Sequence, residues 1–139
     1  MDPHPAPVPS ERVADVAACR YVSLTTFRRS GEPVATAVWV ARDGDELVVI
    51  TIDGVGKTKR LAHTPQVELR ECDVRGTVPD GAPTYHGTAR VVRSPEEIAA
   101  VRRAIAAKYL LARLGDLFRA VTSRFTQGKP RAAIRIVLS

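Results

Sequence analysis

Residues 50–60 read ITIDGVGKTKR, a run whose residue types suit one kind of chemistry, the capture of an anion. Gly54 and Gly56 permit close approach of the backbone to a ligand. Lys57 then opens a predicted helix, whose free N–H groups and positive dipole end favour negative charge. Lys57, Lys59 and Arg60 place three cations within four residues. The phosphate loop of nucleotide triphosphatases requires G-x-x-x-x-G-K-[ST]. Gly56, Lys57 and Thr58 fill its last three places, but Thr51 stands where the first glycine belongs. Such an enzyme also needs parallel strands joined by crossover helices and an aspartate after a further apolar strand, and none of these follows Lys57. What remains is either an anion site of another kind or a glycine turn leading into a solvated basic helix, and the run by itself suits both.

The other chemistry-bearing side chains are scattered. Cys19 and Cys72 are far apart with no C-x-x-C partner, a usage expected of structural thiols in a reducing cytoplasm. His4, His63 and His86 have no Cys, His or carboxylate at metal-binding spacing, so no metal site is expected. No catalytic residue is assigned. A formal charge of +6 and a pI of about 9.9 favour anionic partners. Nucleic acid is not the expected one: aromatic residues are 5 % of the chain, too few for a stacking platform, and no recognition motif is present. No apolar run reaches the ~20 residues of a membrane span. The opening MDPHPAPVPS lacks the basic and apolar regions of a secretory signal, so a cytoplasmic protein is expected.

The elements that must position the basic run can be read from periodicity. With 139 residues the chain has the length of one domain. Alternating prolines at 3, 5, 7 and 9 predict an extended, poorly ordered arm over 1–9, and the domain proper is expected over 10–139. Ser10 caps a short helix carrying Val13, Val16 and Ala17 and ending near Arg20. The stretches 21–27 and 33–42, rich in β-branched residues, form a hairpin around Arg29-Ser30-Gly31-Glu32. A second turn at Arg42-Asp43-Gly44-Asp45, with Asp-Gly central, feeds a strand over 46–52. Lys57–His63 is a short helix stopped by Pro65, and strands follow over 66–72 and 84–92 around a Gly/Pro-rich loop.

Ser94-Pro95-Glu96-Glu97 then starts a long helical region through Ile98, Val101 and Ile105 that continues over Leu110–Phe125 with a break at Gly115. Its arginines, Arg102, Arg103, Arg113 and Arg119, read as a solvated face. A sixth strand closes the chain over 132–139. Six strands joined mostly by hairpins, with helices at the edges, predict a mainly β protein, a small antiparallel barrel. Trp39 alternates with Val38 and Val40 and reads as a core residue of the barrel or of a dimer interface, and Tyr85 and His86 read as strand-face residues.

Six fragments in order, Y-V-S-L-T-T-F at 21–27, G-x-P-V-A-T-x-V-W at 31–39, G-K-T-K-R-L at 56–61, P-Q-V-E-L at 65–69, C-D-V-R-G at 72–76 and G-T-A-R-V-V at 87–92, resemble the pyridoxamine 5'-phosphate oxidase-like split-barrel superfamily, and more closely its F420-dependent actinobacterial branch. The resemblance implies a six-stranded split barrel that forms a homodimer with flavin-like sites at the subunit interface. It further implies a cofactor-binding set: Thr36, Ala37 and Val38 along the ring, Ile50 and Thr51 from the next strand, and Lys57 with Gly56 on the phosphate. By charge and helical position Arg60 is assigned to an acidic tail, and Arg75 to a contribution across the dimer. This chain has Ala37 where related chains often have proline. The implied cofactor is coenzyme F420, with FMN as the alternative. The implied activity is hydride exchange with a small organic substrate, against which stands a non-catalytic F420 carrier of the same sequence pattern.

Overall fold

The computed structural model of the protein describes residues 9–52, 56–111 and 131–139. In chain order the elements are α1 (Pro9–Ala17), β1 (Tyr21–Phe27), β2 (Pro33–Val38), β3 (Ala41–Asp43), β4 (Glu46–Ile52), α2 (Gly56–His63), β5 (Gln66–Cys72), β6 (Tyr85–Val92), α3 (Pro95–Leu111) and β7 (Arg131–Leu138). Every strand pairing is antiparallel, and the sheet order is β2-β1-β5-β6-β7-β4-β3. The expected mainly β antiparallel split barrel is therefore the observed fold. Pro9 lies in α1 rather than in the arm, whose remaining residues fall outside the described ones, as does the helical region expected beyond Leu111 with its break at Gly115.

The strand expected over 33–42 is two strands, so the sheet has seven rather than six. The reason is topological. β2 pairs with β1 at one edge of the sheet and β3 pairs with β4 at the other, yet only Trp39 and Val40 separate them. The chain can serve both edges only if the sheet curls until they meet, and the bend at Trp39-Val40 is where the curl closes. Peptide groups at such a bend lose their ladder partners and need others when buried. Here α3 supplies them. The Val40 N–H donates to Tyr109 Oη at 3.0 Å, and the Val40 carbonyl accepts from Lys108 Nζ at 2.6 Å. Lys108 also donates to the Cys19 carbonyl at 2.5 Å, and the Tyr109 hydroxyl to the Arg20 carbonyl at 2.7 Å, so the same two side chains tie down the approach to β1.

Two apolar clusters follow from strand alternation. Inside the barrel Val22, Leu24, Val40, Leu47, Val49, Val67, Leu69, Ile134 and Ile136 pack with Val13 and Val16 of α1 and Leu61 of α2. On the outer face Ala41, Val48, Val92 and Ala133 are covered by Val101, Ile105 and Tyr109, which recur every four residues along α3. Trp39 belongs to this second cluster and stacks on Tyr109 with ring centroids 4.7 Å apart. The start of α3 is fixed as its sequence predicts: the Glu97 N–H donates to Ser94 Oγ at 3.3 Å and Pro95 occupies the first turn.

The β3–β4 turn is shifted by one residue from the expected tetrad. Asp43 pairs with Glu46, so Gly44 and Asp45 are the central residues, and Gly44, at φ 65°, takes the left-handed place that excludes most side chains. Gly87 is required for a different reason. A Cβ there would stand 2.6 Å from the Val137 carbonyl, so only glycine lets β6 approach β7 at this point.

Candidate functional site

The barrel is open along one seam. β2 pairs with β1 alone, and β4 beyond Val48 pairs with β7 alone. The first β3–β4 pair is Ala41 with Val48. Continuing that register past the bend would set Trp39 against Ile50 and Ala37 against Ile52, but no such pairing forms. Beyond the bend β2 and β4 thus each keep one backbone edge without a strand partner, and this open seam is the slit referred to below. Its two sides carry Thr36, Ala37 and Val38 from β2 and Ile50 and Thr51 from β4, five of the residues that the sequence singles out.

Their side chains do not act alike. Val22, Leu24 and Thr26 are buried in the barrel, and their register partners Val38, Thr36 and Val34 share that face. The Thr36 hydroxyl is buried there with no hydrogen-bond partner, an orphan of the sort that a bound polar group relieves. Ala37 points outward and is exposed. Thr51 is buried, whereas Ile50 packs partly against the cluster under α3.

Beyond β4 the chain leads to α2, where the remaining basic residues gather. α2 lies against β1 and β6, with Thr58 and Leu61 as its buried face. Arg60 donates from Nε to Thr26 Oγ1 at 2.5 Å, which fixes the helix start at the end of β1. The Arg60 guanidinium folds back over Gly56 so closely that any Cβ at that position would collide with it. Lys57 is half-buried, and burial together with the Arg60 charge holds its ammonium below the ordinary lysine range. Burial and the neighbouring Arg28 likewise lower the basicity of Arg60. Among the described residues no carboxylate forms an ion pair with either side chain, although such pairs serve Arg28, Arg42, Arg90 and Arg135. Cations crowded together and partly desolvated, with no counter-charge among the described residues, are at a cost that an anion would remove.

Arg75 is not in this group. It occupies an exposed turn held by Asp73, whose Oδ1 accepts from the Arg75 and Thr77 N–H groups at 2.9 Å each. The turn lies on the outer side of β2, since a Cβ at Gly76 would be 3.9 Å from that of Ala37. The structure thus joins Gly56, Lys57 and Arg60, carries Thr36–Val38 and Ile50–Thr51 on the two strands that border the open seam, and places the turn of Arg75 and Gly76 near Ala37 on the outer side of β2.

Sequence reasoning missed Thr26 and Arg28, which complete the surroundings of Arg60, and the orphaned Thr36 hydroxyl. The pairing of Thr26 with Val34 follows from the hairpin register, so that signal was present. Nothing in residue spacing pointed from Arg28 to Arg60. Tyr85 and His86 border a small cavity of about 130 Å³ with Arg12, away from the slit. A larger groove lies beside α3, lined by none of the residues above.

The open seam thus offers backbone edges without strand partners and the buried Thr36 hydroxyl, and α2 offers the partly desolvated Lys57 and Arg60. Comparison with known proteins agrees with the fold. Among solved structures, a conserved hypothetical protein from Mycobacterium tuberculosis superposes with a TM-score of 0.66 at 24 % identity, covering 92 % of this chain and 78 % of the other. An F420 reductase gives 0.57 at 18 % identity over 90 % and 91 % of the two chains. The heme storage protein HutZ from Vibrio cholerae gives 0.61 at 15 % identity over 93 % and 89 %. At these identities the likeness is one of fold. Among curated proteins none matches the chain. The family model for pyridoxamine 5'-phosphate oxidase matches residues 9–136, and this chain belongs to that family.

Proposed function

We propose that the protein binds coenzyme F420 and acts in the cytoplasm as an oxidoreductase that exchanges a hydride between this cofactor and a small organic substrate. The observation that carries the reading is the Lys57–Arg60 pair, partly desolvated at the end of the slit with no carboxylate beside it among the described residues. When bound, the deazaflavin supplies the hydride chemistry. The contribution of the chain is position. The free edges of β2 and β4 would hold the rim of the ring, Thr36 Oγ1 would gain the partner it lacks, and Lys57 and Arg60 would take the phosphate and the start of the acidic tail. No side chain at the slit is required as a general acid, and none is assigned as catalytic.

The reading includes a homodimer, in which the outer side of β2, with Ala37 and the Arg75 turn, exposed in the single chain, would meet a second copy across the slit. Arg75 would then act on the site of the partner subunit. The net charge of +6 suits an anionic tail.

The deciding experiment titrates F420 and FMN side by side into the purified protein. Saturable F420 binding that weakens in Lys57→Ala supports the proposal. Preference for FMN would transfer the site to a flavin enzyme, and F420 binding without oxidation of the reduced cofactor by any acceptor would make the protein a carrier. Salt-sensitive DNA binding in place of either would remove the reading altogether.

A further inference from the structure

On the face of β1 that lines the barrel, Val22 and Leu24 are followed by Thr26, which is buried as completely as they are. The pairing of β1 with β5 ends at Thr25, and past that point α2 lies against β1 instead. A hydroxyl buried at such a place needs a partner. It has one in Arg60 of α2, whose Nε donates to Thr26 Oγ1 at 2.5 Å. With Nε so held, the planar guanidinium lies across Gly56, the first residue of the helix, with both Nη atoms against the place where a Cβ would stand. An unanchored arginine would not rest there. Arg28 and Lys57 both act on Arg60 with like charge, and a long side chain relieves such crowding by swinging out into water. The bond to Thr26 holds it against that repulsion.

We infer that Thr26 is a positioning residue of the anion site: its buried hydroxyl presets the Arg60 guanidinium at the start of α2, so that a phosphate-bearing ligand meets an ordered pair of N–H donors. The inference rests on the reading of Lys57 and Arg60 as the anion site. A guanidinium recognises phosphate through two parallel N–H groups, which demands a fixed plane as well as a charge. A fork already ordered in the free protein spares the ligand the cost of ordering it. Gly56 and Thr26 serve this end from opposite sides, one by leaving room for the guanidinium and the other by tethering it. Thr26 is enclosed in the barrel, so it acts through Arg60 alone.

Coenzyme F420 and inorganic pyrophosphate are the probes, titrated by fluorescence and by calorimetry into the full-length protein, Thr26→Val, Thr26→Ser, Arg60→Ala and the Thr26→Val/Arg60→Ala double variant. Thr26→Val, which keeps the branched shape and loses the acceptor, is expected to weaken both probes by about tenfold, the scale of a lost hydrogen bond to a charged group. Thr26→Ser, which keeps the hydroxyl, should bind as the unaltered protein does. In the Arg60→Ala background Thr26→Val should change affinity no further, a non-additivity that loosened packing would not produce. Unchanged affinity in Thr26→Val, an equal loss in Thr26→Ser, or full additivity with Arg60→Ala would each overturn the inference and leave the F420 reading standing. Pyrophosphate binding that follows the expected pattern while F420 fails to bind would uphold the inference and remove the F420 reading. Failure of both probes to bind would end both.

Discussion

Two half-buried lysines show how the same chemistry divides between scaffold and site. Lys57 and Lys108 both have ammonium groups made less basic by burial. Lys108 donates to the carbonyls of Cys19 and Val40, and with Tyr109 it satisfies the peptide groups freed where the sheet bends. Lys57 has the Arg60 charge next to it and no carboxylate in an ion pair among the described residues. A desolvated cation with carbonyl acceptors holds the fold together. One crowded by like charge suits the anion site proposed above.

That contrast can be broken most forcefully on the scaffold side. Tyr109→Ala removes a buried ring and leaves the Val40 N–H unpartnered, so unfolding free energy should fall by about 3 to 5 kcal/mol in denaturant titration. Tyr109→Phe, which keeps the ring, should cost about 1 to 3 kcal/mol. An unaltered midpoint in both would show that the bend holds without α3. On the site side, Lys57→Ala should weaken F420 binding by about 1.5 to 3 kcal/mol in a fluorescence titration and leave the unfolding curve in place. If it lowered stability as Tyr109→Ala does, the two lysines would not differ in kind.

Acidity sharpens the comparison more gently. Burial brings the Lys108 amine down to about 8, from 10.5 in the unfolded chain. Between those values the unfolded chain holds the extra proton, so stability should rise with pH across that window, with a slope below that of one full proton because the group is partly solvated. A neutral amine still has donors for both carbonyls. Tyr109 works the other way: burial pushes its hydroxyl up to about 12, so above pH 10.0 the unfolded chain ionises first and stability falls. Thermal unfolding from pH 7 to 11 should show the rise, and Lys108→Met should flatten it. The smallest effect is expected at the surface. Arg90 donates to both carboxylate oxygens of Glu46 but is exposed, so Arg90→Ala should cost about 0.2 to 1 kcal/mol and less in high salt.

Much of the barrel was legible because its strands alternate and its turns carry glycine. The strands over 21–27, 46–52 and 66–72 have the expected bounds, and the Ser94-Pro95 start of α3 follows from local chemistry that needs no distant partner. The bend at Trp39-Val40 was not legible. The run PVATAVWVAR has uninterrupted β character, and it breaks only because the remote strands β1 and β4 claim its two halves. The basic group was legible as Gly56, Lys57 and Arg60, which share one helix. Arg28 and Thr26 come to it from thirty residues away through the β1–β2 hairpin, and Tyr109 reaches Val40 from further still. Sequence spacing reports neighbours along an element well and neighbours across a closed barrel poorly.

The place of β7 in the sheet has a consequence for synthesis. The last strand of the chain lies between β6 and β4, so until it leaves the ribosome those two have nothing to bind along their facing margins. A nascent chain that stalls before Arg131 carries a pair of open ladders, either of which could recruit another unfinished copy. Closure of the wall thus waits for β7, and a stop before Arg131 should yield insoluble polypeptide rather than a slightly shortened barrel.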